Sequence, residues 1–421
     1  MELFKTGHIQ LRSPRGNELQ VAVAGDVCFE LLGASAVSEV LGGRSGAILA
    51  GVQPFLESAD LRLIQWETVL GENKTPLNKP GPKVIAPAGC VRFAREGCFD
   101  VAMLANNHIG DFGPAAALET RDTLEREGIL TVGVGENLAR ASRLLTLEKN
   151  GLRLGILNVA EHEFGIATAT QAGAAPLDPL ENIRQIRQAK EECDVVLAVL
   201  HGGVEHFPFP TPRTVQVCRA MAEAGAAAVI NIHPHIPQGI EIHQGTPIFY
   251  SPGNFFFVAQ EDRYPASHWW WHGYLPKITF DSGGAVAVEI LPYRVRRDPW
   301  RIEPFEEPDR AACLRHLGRI SEPLADPAAL QSRLDSWSAE RGVPMLEALC
   351  GGQIRWPRDL TDSAQVLEVM GLRNWFTCQA HHEVLTNALR LVETFRVGEA
   401  RQRFPEIAQF QQPDFLTRSK C

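Results

Sequence analysis

The chain has 421 residues, 45% apolar and 22% charged, which is the balance of a soluble globular enzyme. The length accommodates two or three average domains, or one large α/β unit with an appendage. Lys plus Arg number 41 against 50 Asp plus Glu, and the net charge of −9 repels a polyphosphate backbone, so nucleic acid is excluded as the expected partner. No stretch approaches the ~20 continuous apolar residues of a membrane span, and residues 1–20 hold no apolar signal core, so a cytoplasmic protein without a membrane partner is expected. The nine cysteines are scattered and form no CxxC pair, which predicts reduced thiols rather than a disulfide framework or a zinc ribbon.

In chain order, LQVAVAG (19–25), ADLRLIQW (59–66) and DVAMLA (100–105) have strand length and strand composition. PAAALETRDTLEREG (114–128) reads as an amphipathic helix with Pro near its first position and a Gly C-cap. The strand LRLGILNV (152–159) is followed by the helix NIRQIRQAKEE (182–192), the strand DVVLAVL (194–200), the helix TVQVCRAMAEAG (214–225) and the strands AAAVINI (226–232) and PIFYS (247–251). This alternation predicts an α/β fold. Beyond residue 273, YLPKITF and AVAVEILPYRV alternate with period 2 across DSGG and predict an antiparallel hairpin. From about residue 306 the chain reads mainly helical, with HHEVLTNALRLVETFR (381–396) the clearest amphipathic stretch. A Pro- and charge-rich segment near 297–305 reads as a boundary or a long surface loop, dividing a domain 1–300 from a mainly helical region 301–421.

In open α/β sheets the loops at the carboxyl ends of the strands converge on one edge. The predicted strands deliver Asp26, then Glu67, then Asn106, Asn107 and His108, then His201, then His233 and His235 to such ends. A single histidine there is ordinarily a hydrogen-bonded structural residue, and a single aspartate an N-cap. Five strand ends carrying carboxylate, amide and imidazole groups together are instead the O/N donor set of Mn, Fe or Zn, with two ions if one carboxylate bridges.

Other features have plainer readings. DFG (111–113) stands without the other kinase elements, and GVGENLARA (133–141) reads as a tight strand-to-helix turn rather than a dinucleotide loop. SHWWWHGY (267–274) reads as core filling, with Trp271 a candidate wall of a substrate pocket.

As an ordered set, GD (25–26), the D…WE pattern of 60–67, NNHIGDFG (106–113), HGGVEH (201–206), INIHPHIPQG (231–239) and YSPGNFFF (250–257) resemble the CapA family, named for a poly-γ-glutamate capsule protein, over about residues 20 to 295. That family belongs to the calcineurin-like metallophosphoesterase superfamily. The resemblance implies an α/β/β/α sandwich with a mainly helical C-terminal extension. It implies further that Glu67 is the bridging carboxylate and Asp26 the first-strand aspartate. Asn107, His201 and His233 would bind one metal, His235 would help complete the other, and His108 would be the general acid. Asn106, Glu205, His206 and Asn254 are expected in supporting positions around ligands or substrate. Where the superfamily has Asp-x-His, this chain has Asp26-Val27-Cys28, which leaves one ligand without its counterpart. Cys28 is either a thiol ligand, an acid/base group or a small buried hydrophobe.

Two chemistries fit these residues. One is hydrolysis of a phosphoester or amide with one or two divalent metals. The other is metal-free Cα epimerisation, with Asp26, Cys28, Glu67 and His108 moving the proton, as the resemblance to a lasso-peptide epimerase of this fold implies. The expectation is a peptide-modifying enzyme acting on a peptide or amino-acid polymer, with epimerisation placed ahead of hydrolysis. A non-catalytic peptide-binding scaffold is the third reading.

Overall fold

The structure, a computed structural model, describes residues 1–29, 34–72, 74–258, 263–351, 354, 357, 359 and 361–417. Two β-sheets form its centre. The nine-stranded sheet runs in the order His8–Gln10, Gly284–Arg297, His272–Asp281, Leu19–Phe29, Leu61–Trp66, Val101–Met103, Leu130–Val132, with Phe256–Val258 and Trp300–Pro304 pairing at its sides. The six-stranded sheet runs Ile240–His243, Thr246–Phe249, Ala228–Ile232, Val195–His201, Leu152–Ala160, Leu145–Lys149.

Alternation along the strands builds the layers. Val21, Val23, Leu63, Val101 and Met103 pack with Leu154, Ile156 and Leu197 into the core between the sheets. Their neighbours Ala22, Ala24, Ile64 and Ala102 face the opposite way, into a second cluster with Val37, Ile48, Leu56 and Phe93 from the outer helices. On the far side, helices Pro179–Glu192 and Pro212–Glu223 lay Ile186, Val215, Cys218 and Met221 on the six-stranded sheet. The result is the expected α/β/β/α sandwich. Helices from Asp309 onward join the same apolar cluster through Leu314, Leu317, Leu334 and Trp337, forming the helical C-terminal region. Among the described residues no helix is long and apolar enough to cross a membrane. Among the described residues the eight cysteines form no disulfide, and Cys421 lies outside those residues.

Two expectations are corrected. The first strand does not stop at Gly25. It continues to Phe29, and its register slips between Ala24 and Asp26, a bulge that turns Asp26 toward the site from within the strand. Gly25 is required there, because a Cβ would stand 2.0 Å from the carbonyl oxygen of Gly253. The segment near 297–305 is not a loop. Its Trp300–Pro304 strand pairs antiparallel with Gly284–Arg297, and Trp300 is buried against Phe256.

Candidate active site

Register aligns the strand ends. Ala160, His201 and Ile232 are cross-strand partners, so Glu161, Gly202 and His233 leave the six-stranded sheet at one level. Val27 and Trp66 are partners in the other sheet, which brings Glu67 beside Asp26. Asn106 fastens the next loop: its amide donates to the Trp66 carbonyl at 2.8 Å, and its Oδ1 accepts from the backbone N–H groups of His108 and Ile109. His206, His233 and His235 adopt φ of 60°, 109° and 61°, conformations a non-glycine residue keeps only where its surroundings hold it.

The six residues expected as ligands converge, all of them buried. His201 Nε2 lies 3.0 Å from Asn107 Oδ1, 3.1 Å from His233 Nδ1 and 3.4 Å from Glu67 Oε1. His235 Nδ1 stands 3.4 Å from Asp26 Oδ2 and 2.9 Å from Asn254 Oδ1, and His201 Nδ1 is 3.6 Å from Asp26 Oδ1. A single ring proton cannot serve three acceptors. Both oxygens of Glu67 and both of Asp26 are buried without a hydrogen-bond partner, a costly arrangement unless a cation completes it. Burial, then the adjacent Asp26 carboxylate, raises the Glu67 carboxyl well above the ordinary carboxylate range. Burial pushes the His201 imidazole down to about 3 and holds His233 well below its ordinary value, so both rings offer lone pairs at neutral pH. Three overlapping groups have the spacing of a metal site: Glu67, His201 and His233; Asp26, Glu67 and His235; Glu205, His233 and His235. The donor set therefore fits a divalent ion.

Cys28 is not in these groups. It is fully buried in the apolar cluster with Phe29, Trp66 and Phe256, the small-hydrophobe position among its alternatives. His108 Nδ1 is 2.7 Å from Asp111 Oδ2, and Asp111 also pairs with the buried Lys79. Against the upward push of burial, His108 and Lys79 hold the Asp111 carboxyl below its ordinary value. Asp111 belongs to the NNHIGDFG run (106–113) but was given no role of its own in the sequence reading, and its spacing three residues after His108 was the available signal.

A cavity of about 680 Å³ opens over these groups, with Asn107, His108, Glu205, His206 and His235 in its wall. Trp270, not Trp271, lines it. Trp271 is turned into the core, its indole N–H donating to the Tyr264 carbonyl at 3.1 Å. Sequence reasoning missed Glu163, Tyr264 and the C-terminal residues Asn374, Trp375 and His381 in the same wall. The C-terminal helices are tied to the site loops: the Ala380 N–H donates to Glu161 at 3.3 Å and the Asn374 amide to Glu163 at 3.4 Å.

Capsule biosynthesis protein CapA of Bacillus anthracis is 30% identical over 254 residues, covering 58% of this chain and 60% of that protein. PGA biosynthesis protein CapA of Bacillus subtilis (strain 168) is 31% identical over 245 residues, covering 54% and 64%. The chain thus spans less than two thirds of the length of these relatives. A putative 5'-nucleotidase structure from Staphylococcus aureus aligns at 14% identity and a TM-score of 0.38, over 72% of this chain and 58% of that one, a distance at which nothing carries over. The family model for "Bacterial capsule synthesis protein PGA_cap" matches residues 20–259, the segment that supplies every expected ligand. With more than half of its length so matched, the chain belongs to the bacterial capsule synthesis protein PGA_cap family.

Proposed function

We propose that the chain is a divalent-metal-dependent hydrolase acting on a phosphoester or amide group of a peptide or amino-acid polymer. The observation that carries this is Glu67, both oxygens buried and unpartnered within reach of Asp26, His201, His233 and His235. Asp26, Glu67, Asn107, His201, His233 and His235 would hold one or two ions of the Mn, Fe or Zn kind. A bound ion of this class lowers the pKa of water and polarises a phosphoryl or acyl oxygen. The chain's own contribution is proton delivery. Asp111 fixes His108 through Nδ1, leaving Nε2 as the atom that donates to a leaving group, and Lys79 fixes Asp111. The aromatic walls Phe164, Tyr264, Trp270 and Trp375 suit a chain-like substrate, as do the capsule and PGA biosynthesis names of the relatives.

Metal-free Cα epimerisation of a lasso-type peptide is the second reading. Its proton movers would be Asp26, Glu67 and His108, because Cys28, counted with them in the sequence reading, is buried in the apolar cluster. Elemental analysis and chelation decide between them. Hydrolysis predicts bound metal and chelator-sensitive turnover; deuterium uptake at a substrate Cα in D₂O that survives chelation would replace it with epimerisation.

A further inference from the structure

A second cavity, of about 430 Å³, adjoins the first and shares Glu205, His206, Tyr264 and His381 with it. Its remaining wall comes largely from helices beyond the segment matched by the family. Trp337 and Val384 are buried, Met345 is half-buried, and together they give the chamber an apolar side. Gln411 donates to the His206 carbonyl at 2.7 Å and so locks the partition between the two cavities.

At the rim stands Arg341. It lies on the π-helical turn Ser338–Gly342, an element that inserts one extra residue into a helix and re-aims its side chains. Its guanidinium carbon lies 5.6 Å from the ring centroid of Trp337 and 5.7 Å from that of Phe404 and, among the described residues, no carboxylate pairs with it. Most arginines of this helical region are engaged otherwise: Arg333, Arg390, Arg396, Arg401 and Arg403 all pair with carboxylates. A guanidinium whose charge faces aromatic rings instead of a carboxylate keeps N–H donors available for a carboxylate from a ligand.

We propose that this chamber is a substrate subsite for an apolar group bearing a carboxylate, with the apolar body against Trp337, Met345 and Val384 and the carboxylate on Arg341. The subsite deepens the hydrolase reading, because the shared wall of His206 and His381 sets the bound group next to the metal ligands. It selects for apolar, acidic sequence beside the bond that reacts.

The test is calorimetric titration of the full chain with 4-phenylbutyrate and with its uncharged amide. The acid is expected to bind roughly tenfold or more tightly than the amide. Arg341→Ala should erase that preference while leaving amide binding unchanged. Met345→Trp, which fills the chamber, should abolish binding of both, with thermal unfolding of each variant confirming the fold. Displacement by N-acetyl-leucine but not by N-acetyl-glutamyl-leucinamide assigns the carboxylate to a chain end, and the reverse assigns it to a side chain. Equal binding of acid and amide, an acid preference that survives Arg341→Ala, or binding indifferent to Met345→Trp overturns the proposal. Because the titration needs no turnover, and because an anion held by a metal would keep its preference in Arg341→Ala, it fails or succeeds separately from the hydrolase reading.

Discussion

Two buried carboxylates, Glu67 in the sandwich and Asp335 in the C-terminal helices, are treated in opposite ways. Asp335 Oδ1 accepts from Gln331 at 2.9 Å, Asn387 at 3.1 Å and Arg390 at 2.6 Å, with Arg396 3.6 Å from its second oxygen. Glu67 is as deeply placed, yet its neighbours offer it lone pairs and another carboxylate rather than donors. A fold that surrounds a buried charge with donors is stabilising itself. One that surrounds it with further acceptors gives up stability to keep a place for a cation.

Changes on the two sides should separate these roles. Glu67→Gln is expected to lower turnover by about three orders of magnitude, roughly 4 kcal/mol, and to raise rather than lower the unfolding temperature of metal-free protein; a simple loss of stability would place Glu67 with Asp335. His108→Ala should cost about 10² to 10³ in turnover with metal content unchanged. The deficit should shrink on substrates whose leaving group departs without a proton. Asp335→Ala should leave activity per folded molecule alone and cost about 2–3 kcal/mol in denaturant unfolding, as its buried donors lose their acceptor.

The smallest effect concerns pH. His316 is buried against Trp269, Phe410 and Phe415 with Arg319 nearby, and burial lowers its imidazole to about 3. An unfolded histidine titrates near 6.5, so below that pH the unfolded state takes up a proton that the folded state refuses. Stability should fall as pH drops from about 6.5 toward 3, and His316→Phe should flatten the fall by up to about 1.4 kcal/mol per pH unit.

The convergence of Asp26, Glu67, Asn107, His201, His233 and His235 was legible in the sequence because each follows an apolar run, and the parallel strands of an α/β sheet carry such residues to one edge whatever lies between them. The α/β grammar and the hairpin across 281–284 were readable for the same reason, since period and turn chemistry are local. What could not be read depends on tertiary approach. The bulge that keeps Asp26 inside its strand follows from a contact with Gly253, and the pairing of Lys79 with Asp111 spans a loop without periodic signal. Trp270 faces the cavity because the three tryptophans form a 3₁₀ turn, whose threefold spread no strand pattern predicts. His381 and Asn374 reach the site only by docking of distant helices.

That docking orders events in time. Asp26, Glu67 and the three histidines precede Trp337, His381 and Gln411 in the chain, so a polypeptide leaving the ribosome presents the buried polar cluster before the helices that wall the adjoining cavity have been made. The enclosure of the cavity is thus completed after the polar cluster it covers has been synthesised.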